Sequence, residues 1–107
     1  MKVDYLKFDF QRSTFNIQLS TLNLEILTPE KKLYSGEVYG VQMPGISGSF
    51  EVLDRHAPLI SALKAGRIKV LKDKQNHTAT FEIQGGFVEV LNNRVTVLVE
   101  GASETSA

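Results

Sequence analysis

The residues best suited to chemistry in this sequence are the consecutive Asp54, Arg55 and His56. Side chains two positions apart share one face of a strand, so Asp54 and His56 could meet as an acid–base pair. No serine in a nucleophile motif such as Gly-x-Ser-x-Gly accompanies them. We therefore expect His56, which precedes Ala57 and Pro58, to fix a loop by hydrogen bonding. A hydrolase that uses His56 and Asp54 is the weaker alternative.

The histidine, cysteine and glycine residues disfavour metal and phosphate chemistry. The two histidines, His56 and His77, lie far apart in the chain, and the sequence contains no cysteine. Disulfides, thiolate metal sites, iron–sulfur clusters and cysteine nucleophiles are thereby excluded. The glycines match neither phosphate-binding loop pattern, and turn geometry explains them better. We expect no catalytic residue, no bound cofactor and no metal.

Length and charge narrow the class of protein. A chain of 107 residues predicts one domain. Twelve basic and twelve acidic residues cancel to a formal net charge of zero, which disfavours nucleic acid as a partner. No uncharged stretch approaches the roughly 20 apolar residues of a membrane span, and no export signal is visible. Any link to a membrane is therefore expected to pass through a partner.

The elements that would position these residues are predicted to be strands. Apolar residues alternate with polar ones in one short run after another, which is typical of half-buried strands. The runs are Leu22–Leu27, Leu33–Met43, Phe50–Leu53, Arg67–Leu71, Ala79–Gln84, Val88–Val90 and Val95–Val99. A further alternation at Phe8–Phe10 and Phe15–Leu19 indicates a short hairpin or a poorly ordered extension.

Turn residues separate the runs. Asn92 and Asn93 tolerate the positive φ of a two-residue hairpin turn, and Lys72–His77 predicts a longer polar turn. Gly85-Gly86 indicates a bulge or a close backbone approach. Leu59–Leu63 behind Pro58 fits either one helical turn or an edge strand. These runs and turns predict an all-β fold, an antiparallel sandwich or barrel. Its function is expected to be that of a binding or assembly module or of a small-ligand jelly roll, with an enzyme third.

Six segments together carry a resemblance to a known family. They are Leu24–Lys31 (LEILTPEK), Leu33–Val38 (LYSGEV), Met43–Gly45 followed by Gly48 and Phe50, His56–Gly66 (HAPLISALKAG), Gly85–Val90 (GGFVEV) and Val95–Glu100 (VTVLVE). In this order and spacing they resemble the amino-terminal β-sandwich domain of the ε subunit of F-type ATP synthases. The resemblance covers residues 22–102.

The resemblance implies a flattened antiparallel, jelly-roll-like β-sandwich of about ten strands at the foot of a rotating central stalk. Its partners would be the γ subunit, the ring of c subunits and, indirectly, the α/β hexamer. The chain would not be a catalyst and would not insert into the membrane. It would couple proton flow to ATP synthesis from the cytoplasmic face of the bacterial inner membrane. A free-standing small-ligand-binding sandwich is the alternative.

The resemblance also implies two contact regions. The family's ring-facing loop matches 44–49, so the candidate ring contacts are Ser47, Ser49, the neighbouring Glu51 and His56, with His56 expected near the same end of the sandwich. Contacts with γ require apolar side chains outside the core. The candidates for these contacts are Tyr39, Val41, Met43, Leu71, Phe87 and Leu91.

The predicted boundaries are an amino-terminal extension at 1–20, the sandwich at 21–102 and a tail at 103–107. Typical ε subunits continue past the sandwich with a helical hairpin associated with inhibition and nucleotide binding. Here a few small and polar residues follow the last predicted strand, so neither property is carried over. A naturally short ε subunit and a truncated sequence both remain open.

Overall fold

Strands account for all the regular structure in residues 20–105, which the computed structural model describes. The ten strands are β1 (Leu22–Leu27), β2 (Lys32–Val38), β3 (Gly40–Gly45), β4 (Gly48–Leu53), β5 (Leu59–Leu63), β6 (Gly66–Leu71), β7 (His77–Ile83), β8 (Gly85–Leu91), β9 (Arg94–Glu100) and β10 (Ser103–Thr105). The all-β prediction is confirmed. At Leu59–Leu63 the strand alternative is correct.

One sheet, folded on itself, contains all ten strands. Its order is β10-β7-β6-β3-β5-β8-β9-β1-β2, and β4 pairs with β3 outside this path. The β3–β5 ladder is a single residue pair, Gly45 with Leu63, so the sheet divides there. The first half is β10-β7-β6-β3-β4 and the second half is β5-β8-β9-β1-β2.

The two halves share one hydrophobic core. Their buried apolar residues are Leu22, Leu24, Ile26, Val38, Val41, Met43, Val52, Leu63, Ile68, Val70, Ala79, Phe81, Ile83, Val88, Val90, Val95, Val97 and Val99. The ring of Tyr34 in the second half meets that of Phe81 in the first half edge-on, with centroids 6.2 Å apart and planes at 78°. This edge-to-face geometry is a favoured aromatic arrangement and joins the halves.

Alternation explains which residues enter the core. In β1, Leu22, Leu24 and Ile26 are buried while Asn23 is exposed, because successive side chains of a strand point to opposite faces. One ladder departs from the predicted antiparallel pattern. Strand β1 runs parallel to β9, so the second half of the sheet is mixed.

Turn chemistry follows the prediction at both polar turns. Asn92 and Asn93 have φ values of 53° and 61°, which confirms the tight hairpin between β8 and β9. Between β6 and β7, the Asp73 carboxylate accepts hydrogen bonds from the backbone N–H groups of Gln75 and Asn76 at 2.8 and 2.9 Å. The pKa of Asp73 is lowered, first by the hydrogen bond from the backbone of Gln75 and next by the side-chain amide of Asn76. The backbone N–H of Asn76 also contributes, because each bond stabilises the charged carboxylate.

Two boundaries differ from the expectation. The run Leu33–Met43 is two strands, because the chain leaves the second half after Val38 and enters the first half at Gly40. Between them, Tyr39 donates its backbone N–H to Leu71 O at 3.1 Å. Residues 103–105, expected in a tail, form β10 against β7. The predicted hairpin at Phe8–Leu19 lies outside the described residues.

Candidate functional site

The second half of the sheet presents large apolar side chains on its outer side. Ile60 is 77% exposed, Phe87 61%, Leu98 53% and Leu91 47%. Phe87 pairs directly with Leu98 across the β8–β9 ladder, and Ile60 lies on neighbouring β5. We call these four side chains the outer apolar face. Large exposed apolar side chains grouped in this way make the face a candidate interaction surface.

Two shallow grooves border this face. A groove of about 390 Å³ lies beside Phe87 and Leu98 and is also lined by Leu27, Pro29 and Ala62. A second groove, of about 320 Å³, lies among Pro58, Leu59, Ile60, Glu89, Val90 and Leu91. The outer apolar face is therefore uneven, with recesses that side chains of a partner can enter.

The second candidate region is the edge strand β4. Within the described residues, β4 pairs only with β3, so its other side is free to meet a partner. Ser47 and Ser49 are exposed at the β3–β4 turn, and Glu51 is exposed further along β4. We call this strand border the free edge of β4. It can offer small hydroxyl groups, one carboxylate and unpaired backbone groups.

The position of His56 corrects one expectation. Gly45 pairs with Gly48 at the tip of the β3–β4 hairpin, whereas Gly40 pairs with Leu53 at its base. His56 follows Leu53 and so lies at the base, at the opposite end of the hairpin from Ser47. The expectation that these residues share one end was wrong, because all six residues of β4 stay extended between them.

The loop at this base is held by Asn93. The side-chain amide of Asn93 donates to Asp54 Oδ1 at 2.8 Å and to Thr21 O at 2.9 Å, and its Oδ1 accepts from the backbone N–H of Arg55 at 2.8 Å. His56 Nδ1 lies 2.7 Å from Ala57 O. Asp54 and His56 thus have different partners, which agrees with the expected loop-fixing role of His56.

Arg55 shows how tightly this loop turns. Its φ is 65°, a left-handed conformation that is uncommon for a residue other than glycine. Its Nε lies 3.7 Å from Asp54 Oδ2, and its side chain is 90% exposed. The sequence alone marks Asn93 only as a turn residue, because its bonds to Asp54 and Thr21 join segments that are distant in sequence.

Comparisons with known proteins assign this architecture. The model of the family described as "ATP synthase, Delta/Epsilon chain, beta-sandwich domain" matches residues 21–105. The chain belongs to this family. Relatives named ATP synthase epsilon chain include that of Chlorobium limicola, 44% identical over 75% of this chain and 90% of that protein. The relative from Caulobacter vibrioides is 42% identical over 82% of this chain and 100% of that protein.

A solved structure shares the fold. A chain of the Euglena gracilis mitochondrial ATP synthase, determined as an OSCP/F1/c-ring assembly, superposes with a TM-score of 0.72 at 20% identity. The match covers 83% of this chain and 56% of that one. The recognition of the ε family and the expected sandwich are both confirmed.

The six candidate γ contacts fall into three groups according to their exposure in the structure. Phe87 and Leu91 belong to the outer apolar face. Tyr39 and Leu71 are half-buried around the β2–β3 junction. Val41 and Met43 are fully buried with 0% exposure, so placing them outside the core was wrong. The alternation phase restarts at Tyr39, where the chain changes halves.

Two members of the outer apolar face were missed. Leu98 alternates with the buried Val97 and Val99, so the period-two pattern already indicated that it points outward. Ile60 became recognisable only when Leu59–Leu63 proved to be a strand.

The described part of the chain offers neither a metal site nor a membrane-spanning helix. Residues 20–105 contain no group of three or more His, Cys, Asp or Glu side chains arranged to hold a metal ion. No helix in the same range has the length and apolar character needed to cross a membrane.

Proposed function

We propose that this chain is a non-catalytic ε subunit in the central stalk of an F-type ATP synthase. In this role it binds the γ subunit and the c-subunit ring, and through γ it acts on the α/β hexamer. It couples proton flow to ATP synthesis and is held peripherally at the cytoplasmic face of the bacterial inner membrane. The family match over residues 21–105 carries the proposal. The names of the relatives support it.

The outer apolar face is the surface that we assign to γ. A stable interface buries about 800 Å² on each partner around an apolar centre. Ile60, Phe87 and Leu98 supply such a centre on three neighbouring strands. Because strands paired on both sides deform little, this face is stiff enough to transmit torque.

The free edge of β4 is the surface that we assign to the c ring. Ser47, Ser49 and Glu51 are exposed there. His56 lies beyond the turn at Arg55, at the opposite end of β4 from Ser47, and is not part of this edge. The small hydroxyl groups of the serines favour a contact based on hydrogen bonds and complementary shape. Glu51 is the single formally charged residue of β4.

The alternative, a free-standing small-ligand binder, lacks support. Such a sandwich needs a cavity between its layers. The interior here is occupied by core side chains from both halves, and the two apolar grooves lie on the outer side of the second half.

Co-purification from bacterial membranes tests the proposal. The tagged full chain is expected to recover γ and the ring subunits. The double variant Ile60→Ser, Phe87→Ser should reduce recovery of γ by about tenfold or more, because exposed aromatic and aliphatic anchors dominate interface energy. The control Lys69→Ser, in β6 of the first half, should recover γ normally. Absence of both partners with the unmodified chain, under conditions that preserve the synthase, would refute the assignment.

A further inference from the structure

One carboxylate lies inside the otherwise apolar surface that we assign to γ. Glu89 is the exposed residue of β8 between Phe87 and Leu91, and its direct cross-strand neighbour is Ile60. Residues paired across a ladder or two apart along a strand share one side of the sheet. Three large apolar side chains of the outer apolar face therefore surround Glu89. On its remaining side, Thr96 pairs with it from β9.

Two carboxylates on strands have an ion pair within the described residues, whereas Glu89, like Glu37, Glu51, Glu100 and Glu104, has none there; its apolar neighbours are what distinguish it. Glu25 in β1 has Lys32 Nζ at 3.1 Å, and Glu82 in β7 has Arg67 Nε at 3.0 Å. Glu89 forms no ion pair within 4.0 Å in residues 20–105. It also lines the 320 Å³ groove together with Pro58, Ile60 and Leu91. A carboxylate that has no ion pair within the described residues thus lines an otherwise apolar recess.

Docking a partner here changes the environment of this charge. Contact with Ile60, Phe87 and Leu91 removes water from the carboxylate that they surround. A buried charge without a partner is strongly unfavourable, whereas one that meets a cation with good geometry is tolerated and gives specificity. A wholly apolar partner surface would leave Glu89 unpaired. A surface with a basic side chain at this point would satisfy it.

We propose that Glu89 selects the partner of the outer apolar face by accepting an ion pair from a lysine or arginine set within an apolar patch of γ. The inference rests on the proposed function. It goes further, because it assigns recognition of γ to the carboxylate of Glu89 at the centre of the outer apolar face. Arginine suits the position best, since its planar fork binds a carboxylate with two parallel hydrogen bonds.

Arg94 of the same chain is a competing partner for Glu89. It pairs with Leu91 across the β8–β9 turn, two positions along β9 from Thr96, and so lies diagonal to Glu89. A diagonal neighbour is within reach of a long side chain. If Arg94 neutralised Glu89 in the complex, removing either charge would weaken binding. If γ supplies the cation, only Glu89 is required.

The test measures binding of the full chain to an ε-free sector of α, β and γ subunits, by calorimetry or biosensor titration. Glu89→Leu should weaken binding roughly 30-fold, the effect of leaving the partner's cation buried and unpaired. Glu89→Gln should weaken it less, because the amide still accepts a hydrogen bond. The control Glu82→Gln and the variant Arg94→Gln should both stay within about twofold of the unmodified chain.

The direction in which Glu89→Leu changes the binding affinity decides whether a cation of γ faces position 89. Leucine enlarges the apolar face, so equal or tighter binding would mean that no cation faces position 89 and would overturn the inference. If Arg94→Gln weakened binding as much as Glu89→Gln, the inference would be overturned, because Glu89 would then be paired with Arg94 of the same chain. If the unmodified chain does not bind the sector, the proposed function itself fails. Thermal melts of each variant confirm that this exposed position leaves the fold intact.

Discussion

The side-chain amide of Asn93 donates a hydrogen bond to Asp54 Oδ1 at 2.8 Å, which joins the β8–β9 turn to the loop that follows β4. The same amide reaches Thr21 O, and Asn93 Oδ1 accepts from Arg55 N. One half-buried residue therefore fixes the start of β1, the tight β8–β9 turn and the loop that carries His56. The neighbouring Asn92 is exposed.

Replacing Asn93 with glycine should lower the free energy of unfolding by about 2 kcal/mol, because Asp54 and two backbone groups lose their partner. Glycine retains the positive φ, so the effect isolates the side chain. Asn92→Gly is the matched control, since Asn92 has a similar φ of 53°, and it should change stability by no more than about 0.5 kcal/mol. Urea denaturation measures both. Equal effects of the two substitutions would show that only the turn conformation matters.

The pattern of apolar and polar residues predicted most strands of this fold. It gave wrong assignments where the burial of a residue depends on contacts between segments distant in sequence. The alternation of Val95, Val97 and Val99 predicts β9 and its buried side, because period two is a local property. Tyr39 could not be recognised as a junction, because its hydrogen bond to Leu71 O depends on which half β3 joins. Val41 and Met43 were misplaced for this reason.

The candidate site shows the same division. Phe87 and Leu91 were identified as outward from their phase in β8, and the structure places them there. The surroundings of Glu89 were not predictable, because its contact with Ile60 requires the register between β5 and β8. Cross-strand register is a nonlocal property that one sequence does not reveal.

A second prediction concerns the two glycines that begin β8. A Cβ at Gly86 would collide with the backbone of Leu98 and lie 3.1 Å from Val99 Cα, whereas a Cβ at Gly85 would meet only Leu63 O at 3.5 Å. Gly86→Ala should therefore cost about 2 kcal/mol, because paired backbone in β9 cannot retreat. Gly85→Ala should be within about 0.5 kcal/mol of the unmodified chain. Thermal unfolding distinguishes them, and a neutral Gly86→Ala would contradict the close approach.

A third prediction follows from the lowered pKa of Asp73, caused first by the backbone N–H of Gln75 and then by the Asn76 side chain. A carboxyl group whose pKa is lower in the folded protein stabilises it above the unfolded value of 3.8. This stabilisation is lost as pH falls through the lower folded value. Asp73→Asn should thus melt at a lower temperature than the unmodified chain at neutral pH.

The difference between the two melting temperatures should shrink below pH 3.8 and disappear once Asp73 is protonated in both states. Because other carboxyl groups titrate in the same range, the quantity measured is the difference between the variants at each pH. A difference that stays constant down to the acid limit would show that the turn depends on side-chain shape rather than charge.

The last prediction tests the free edge of β4 as the ring contact. Ser49 is exposed and pairs with Pro44 near the hairpin tip. Ser49→Lys adds a long charged side chain where the proposal places a close polar contact, so it should weaken attachment to the ring by about tenfold through steric and desolvation costs. Proton-driven ATP synthesis in inverted membrane vesicles should fall, while the melting temperature of the purified chain stays unchanged. Ser35→Lys is the matched control, because Ser35 is an exposed serine of another edge strand, β2. Unchanged synthesis in Ser49→Lys, or an equal loss in Ser35→Lys, would remove β4 from the ring contact and leave the assignment of γ to the outer apolar face standing.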